Sequence, residues 1–262
     1  MHVRTLRPHR FLPALAVALS PILPAGEVQA QDAASDLPEA RTLVDRHLDA
    51  LGGRDAVLAR MGGSMTGRFE MPAVGLAGTL SSASRYPDHR VIHIEIPGVG
   101  EILSGYDGEV LWSMDPFSGP RILEGSERVR DLEQSSRGAL VRDPEAVESL
   151  ETVALAEVEG QACHQVRVVW PSGAESMDCY SVDTGFLLGT VSSTESPMGV
   201  MEVETIYQEY REVGGVTMAT RTLQRMMGQE QILVFESYDP TPPSDDRFIL
   251  PPAVQALTGG AR

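Results

Sequence analysis

The chain has 262 residues, with 21 basic against 37 acidic side chains and a formal net charge of −16. Every basic residue is arginine. This balance excludes a nucleic-acid binder, because phosphate recognition needs local positive charge, and it opposes adsorption to anionic lipid surfaces.

Residues 1–30 read as a secretory signal. Arg4, Arg7 and Arg10 form a basic head without an acid, Phe11 to Ala25 is a short apolar run, and Val28-Gln29-Ala30 offers small residues where a signal peptidase reads. The run falls short of the ~20 apolar residues of a membrane span, and Pro13, Pro21 and Pro24 interrupt it. Cleavage after Ala30 leaves an exported single domain, 31–262, without a transmembrane anchor. Removing three arginines and Glu27 leaves 18 basic against 36 acidic residues, or −18.

Pro38 to Leu51 has helical spacing, with Leu37, Ala40, Leu43, Val44, His47, Leu48 and Leu51 on one face and Gly52-Gly53 as the stop. A short helix is expected over Arg54 to Met61. From Ser64 the period changes to two. Strands are expected over Thr66–Met71, Gly78–Tyr86, Arg90–Ile96, Glu101–Tyr106 and Glu109–Met114, with Ile92, Ile94 and Ile96 on one face. Tyr106-Asp107-Gly108-Glu109 is a hairpin signal, since Asp-Gly supplies positive φ.

The strand pattern pauses from Gly119 to Leu150. Ser126 to Ser135 reads as a helix with a serine cap, and Asp143-Pro144-Glu145 starts another. Strands resume at Thr152–Val158, Ala162–Trp170, Ala174–Ser181, Leu187–Ser193, Met201–Arg211, Val216–Met226 and Gln229–Tyr238; Phe248-Ile249-Leu250-Pro251 docks on the body. Successive strands with few intervening helices specify an antiparallel meander.

Cys163 and Cys179 flank the turn Pro171-Ser172-Gly173. With a turn centre at residue 171 they sit face to face, and an exported chain can oxidise them. Alternatively, they are two small buried apolar groups, because a register slip of one turns them to opposite faces.

No set of residues reads as catalytic. Val182-Asp183-Thr184-Gly185 carries the aspartic-protease triplet once only and is followed by Phe186, so it reads as a turn with left-handed Gly185. His47, His89, His93 and His164 form no His-Glu-x-x-His pair, and the cysteines lack metal-ligand spacing. His164 and Cys163 are neighbours on one strand and point apart. No metal and no cofactor is expected.

An apolar concavity remains as the candidate site. Val110, Trp112, Met114, Val166, Val168, Trp170, Met201 and Val203 are its expected lining, and Met198, Met226 and Met227 add adaptable surface. Their default reading is core. A long curved sheet has more inner face than a few short helices cover, so the remainder would be a lipid-sized groove.

Several segments carry a family resemblance. They are the helix ending Leu48-Asp49-Ala50-Leu51-Gly52-Gly53, Gly105-Tyr106-Asp107-Gly108-Glu109-Val110-Leu111-Trp112, the helical stretch after Gly119-Pro120, Val158-Glu159-Gly160-Gln161-Ala162-Cys163-His164-Gln165-Val166, Tyr180-Ser181-Val182-Asp183-Thr184-Gly185-Phe186-Leu187, and Tyr210-Arg211-Glu212-Val213-Gly214-Gly215-Val216. In this order the chain resembles the outer-membrane lipoprotein-sorting proteins, the periplasmic LolA/LolB-like half-barrels, over nearly its whole mature length. The resemblance implies a mainly β fold with minor α: an incomplete antiparallel barrel of about eleven strands, plugged by helices and placed in the periplasm. It implies a non-enzymatic carrier or sensor for lipid or lipoprotein acyl chains. The alternative is an interaction module with a closed interior that binds a protein partner in the envelope.

Overall fold

The computed structural model describes residues 37–59, 61–135, 146–196 and 199–259. Its strands are β1 (Gly62–Met71), β2 (Leu76–Arg85), β3 (His89–Ile96), β4 (Gly100–Tyr106), β5 (Leu111–Asp115), β6 (Gly119–Ile122), β7 (Ser149–Val158), β8 (Gln161–Val169), β9 (Glu175–Ser181), β10 (Leu187–Ser196), β11 (Gly199–Val213), β12 (Val216–Met226) and β13 (Gln229–Asp239). They form one sheet in the order β6-β5-β4-β3-β2-β1-β13-β12-β11-β10-β9-β8-β7. Two meanders, β1–β6 and β7–β13, are thus joined by the antiparallel β1–β13 pair. The sheet is not closed: β6 and β7 are its edges. It is an open, curved half-barrel.

The described residues form thirteen strands where the resemblance implies about eleven. One of them, β6, falls in the stretch that reads as a pause. Gly119-Pro120-Arg121-Ile122 is too short to show a period, and its pairing with β5 makes it a strand. The expected helix at Asp143-Pro144-Glu145 lies outside the described residues.

Helix α1 (Ala40–Ala50) and the short α2 (Arg54–Ala59) precede the sheet. Helix α3 (Gly125–Ser135) follows β6, and α4 (Pro252–Thr258) ends the described chain against β6. Pro252 opens α4, where its missing N–H costs nothing. The tail docks through Phe248, which is buried, meets the His89 ring edge-on at 5.2 Å and carries the Arg85 guanidinium 5.1 Å from its centroid.

Strand alternation sorts the side chains into two faces. Pairing carries one face from Val166 through Asp178, Thr190, Thr205 and Gln224 to Gln231. The same face continues from Leu233 through Phe69 to Gly78, and from Gly67 through Leu80, Ile94 and Ile102. It bears both α1 and α3. The apolar stripe of α1, with Ala40, Leu43, Val44 and Leu48 buried, packs on Val166, Val168, Trp170, Tyr180 and Leu187. His47 locks the helix down, since its Nδ1 accepts the Leu187 N–H at 3.2 Å and its ring meets Tyr180 at 5.6 Å.

Cys163 and Cys179 form a disulfide with Cα atoms 5.4 Å apart. Cys163 pairs with Ser181 and Cys179 with Gln165. The cysteines are therefore diagonal neighbours rather than directly opposed. A register displaced by two residues from the expected one leaves both on the same face. That face is opposite α1, where Leu188 packs against them.

Candidate functional site

The candidate site is the helix-bearing face on the central strands. Phe69, Leu80, Ile94 and Ile96 are buried there, with Met71, Leu76, Val99, Ile102, Leu233 and Phe235 half-buried around them. Among the described residues all come from β1–β4, β13 and adjoining hairpins, and none from a helix. Gly67 and Gly78 allow the strands to close up. A Cβ on Gly67 would lie 1.9 Å from the Val234 carbonyl oxygen, and one on Gly78 would lie 2.1 Å from that of Glu95. At the side of this cluster Ile92 is 41% exposed, between Ser82 and Ser104 on the same face.

Helix α3 flanks the cluster and is held by charge. Arg90 on β3 pairs with Asp131, and Arg121 on β6 pairs with Glu127. The Arg128 guanidinium lies 5.6 Å from the Tyr106 ring centroid and donates to the Glu109 carbonyl. At the far end, Glu133 accepts the Ser172 N–H at 3.0 Å and the Ser172 hydroxyl. Burial pushes the Asp131 carboxyl above its ordinary range, and Arg90 offsets only part of this. Helix α3 therefore spans from the N-terminal meander, which it meets through these polar contacts, to β10 and the β8–β9 turn.

The expected lining residues divide between the two faces. Val166, Val168 and Trp170 lie on the helix-bearing face, buried beneath α1. Met201 and Val203 share that face through the Ser192–Val203 and Thr194–Met201 pairs. Trp112 and Met114 lie on the opposite face, where Trp112 is buried over Gly105. Val110 is in the β4–β5 turn, its N–H donated to Asp107 Oδ1 at 2.7 Å. Pairing of Tyr106 with Leu111 centres that turn on Gly108-Glu109, with Asp107 as its side-chain cap.

The side chains of the central cluster are absent from the expected lining, although Ile94 and Ile96 have a period-two signal. What was missing is the side of the sheet they occupy, which depends on a ladder that runs through β13, far off in the chain.

Other candidate groups have structural roles. Asp183-Thr184-Gly185 is a turn: Gly185 has φ 76°, Thr184 N–H reaches Ser181 Oγ at 3.1 Å, and Arg46 donates to the Asp183 carbonyl at 2.9 Å. Tyr210 lies on the opposite face with Ile206 and Gln208, in unbroken register with β12, although the backbone at Glu209 has φ 54°. There Tyr210 stacks on Phe186 at 4.0 Å and donates to the Leu187 carbonyl. The cleft of about 480 Å³ beside it is lined by Glu159, Gln208, Glu209 and Arg221 among others. These polar groups largely satisfy one another, Gln208 donating to Glu159 and accepting from Arg221. Among the described residues no group of three or more His, Cys, Asp and Glu is placed to hold a metal ion.

The fold is LolA-like. Superposition matches a LolA superfamily protein from Nitrosomonas europaea with a TM-score of 0.53 and 11% identity, covering 82% of this chain and 99% of that one. A DUF1329 family protein from Desulfovibrio piger matches with a TM-score of 0.51 and 13% identity, covering 81% of this chain and 98% of the other. No family model matches the sequence, and no curated protein matches it either. Among the described residues no helix is long and apolar enough to cross a membrane.

Proposed function

We propose that the protein is an exported, periplasmic carrier that holds lipid or lipoprotein acyl chains against the helix-bearing face of the half-barrel. One observation carries this reading. The apolar cluster around Phe69, Leu80, Ile94 and Ile96 is edged by half-buried side chains and by exposed Ile92. The helix beside it makes arginine–carboxylate contacts to β3 and β6, and none of its described residues belongs to the buried apolar clusters. An acyl chain entering beneath α3 gains about 0.8 kcal/mol per buried methylene, against partly exposed ion pairs worth roughly 0–1 kcal/mol each. The LolA-like fold supports the same reading.

The lining follows the face. Ile92, Ile102, Leu233 and Phe235 make the open part, with Val203 and Met201 continuing it. Val166, Val168 and Trp170 form the floor under α1. Trp112 and Met114, on the other face, are left out.

A titration with a fluorescent fatty acid tests the proposal. Binding in the micromolar range or tighter is expected, on the order of −8 kcal/mol. Trp170 should change emission and Trp112 should not, so Trp112→Phe keeps the signal. Ile92→Glu places a carboxylate against the chain at an exposed position and should weaken binding at least tenfold with an unchanged melt. Absence of saturable binding by the wild-type protein would sink the carrier reading.

A further inference from the structure

The two rims of the half-barrel differ in chemistry. Strand pairing puts the connections 72–75, 97–99, 116–118, 171–173 and 227–228 at one rim. Their sequences are Pro-Ala-Val-Gly, Pro-Gly-Val, Pro-Phe-Ser, Pro-Ser-Gly and Met-Gly, without one charged residue. The connections at the other rim, 86–88, 107–110, 159–160, 182–186 and 214–215, contain Asp88, Asp107, Glu109, Glu159 and Asp183 and no base.

The uncharged rim also exposes large apolar side chains. Phe117 is 83% exposed, Met227 66% and Val74 54%, and Val200 at the start of β11 is 63% exposed. Val74 and Phe117 stand on separate hairpins, and Val200 and Met227 line one cleft together with Glu202, Glu204 and Arg225.

The backbone of these tips is prepared for a less polar medium. Four of the five described connections begin with proline, which has no N–H to leave unpaired. Gly75 N–H donates to the Pro72 carbonyl, Val99 N–H to that of Ile96, and Gly173 N–H to that of Trp170. Asp115 is turned back into its hairpin and accepts the N–H groups of Phe117 and Ser118, both at 2.8 Å. An unpaired backbone donor is the main cost of bringing a loop into a low-dielectric layer, and these tips largely avoid it.

We infer that this rim docks on a lipid bilayer surface, with Phe117, Met227, Val74 and Val200 inserted at the headgroup level. The charge distribution sets both the orientation and the lipid. With a net charge of −16 on the full chain, approach is least opposed through the rim whose connections carry no charge, where Asp115 and Glu133 are tied to the backbone N–H groups of the tips, and the acidic turns point away. The favoured surface is zwitterionic, because anionic headgroups repel the body. The apolar cluster reaches the same rim through Met71, Leu76 and Val99, so a docked molecule presents its acyl-binding face to the bilayer. The docking inference goes beyond the carrier reading and rests on different side chains.

Flotation of the mature protein with phosphatidylcholine vesicles, and with vesicles that also contain phosphatidylserine, tests this. The protein should float with the first and less with the second. Phe117→Ser with Met227→Ser should lower the partition coefficient by about a hundredfold, roughly tenfold per side chain, at an unchanged melting temperature. Asp88→Asn at the other rim should not reduce it. The docking is overturned if wild type stays unbound, if it prefers anionic vesicles, if the double variant floats as well as wild type, or if these side chains merely join two copies of the chain without binding vesicles. Fatty-acid titration of the double variant separates the two readings. Retained uptake with lost flotation supports docking as a distinct step, and flotation by a protein that takes up no fatty acid upholds docking while removing the carrier reading.

Discussion

Helices α1 and α3 lie on the same face of one sheet but are held in opposite ways. Helix α1 buries Leu43, Val44 and Leu48 on β8–β10, and the strands beneath it are stapled by Cys163–Cys179. Helix α3 reaches β3 and β6 through Arg90–Asp131 and Arg121–Glu127, and its Val129 stays 45% exposed. Apolar burial is lost all at once when two surfaces part, because water must wet both. A partly exposed ion pair exchanges its partner for water at little cost. Helix α1 therefore belongs to the permanent core, and under the proposed carrier reading α3 is the helix that yields to a ligand.

The largest expected effect comes from equivalent truncations of the two helices. Leu48→Ala should cost about 2–5 kcal/mol, and Val129→Ala less than roughly 0.5 kcal/mol, both measured by urea unfolding. Equal costs would break the comparison. Removal of the disulfide in a Cys163→Ala, Cys179→Ala variant should cost about 3 kcal/mol for a 16-residue separation. The loss should appear as a lower melting temperature with fatty-acid affinity retained, because the bridge lies on the face away from the helices.

Arg90→Ala and Arg121→Ala should each cost only ~0.5–1 kcal/mol. Their distinctive effect is local. Amide exchange in α3 should accelerate while α1 keeps its protection, and uniform acceleration in both helices would contradict the assignment. The smallest effect is pH-dependent. The Asp131 carboxyl is raised above its ordinary value of 3.8 by burial, offset in part by Arg90. Above 3.8 and up to the raised value, the folded protein therefore holds more protons than the unfolded chain. Its contribution is present below that window and is lost as pH rises through it. Asp131→Asn removes this term, so the variant's stability relative to wild type should increase with pH across the carboxylate range. A series of urea unfolding curves on either side of that range measures the slope.

Local sequence determined much of this protein. The stripe Ala40, Leu43, Val44, Leu48 defined α1, and period-two runs defined twelve of the thirteen strands, because a helix or strand with one buried side writes its own period into the chain. Gly185 and Gly108 marked turns through their need for positive φ. The acidic balance and the all-arginine basic set were also readable directly. Tertiary structure alone decided which face each strand turns inward. A strand's alternation is symmetric between its two sides, and the choice passes along the ladder from neighbour to neighbour through the β1–β13 pair, whose members are far apart in sequence. Thus Trp112 and Trp170 have similar apolar neighbours in sequence but lie on opposite faces, and Phe69 meets Leu233 only in the fold. The contrast between the rims has the same origin. Each turn was visible locally, but only the pairing gathers Val74, Phe117, Val200 and Met227 at one end and the aspartate and glutamate turns at the other.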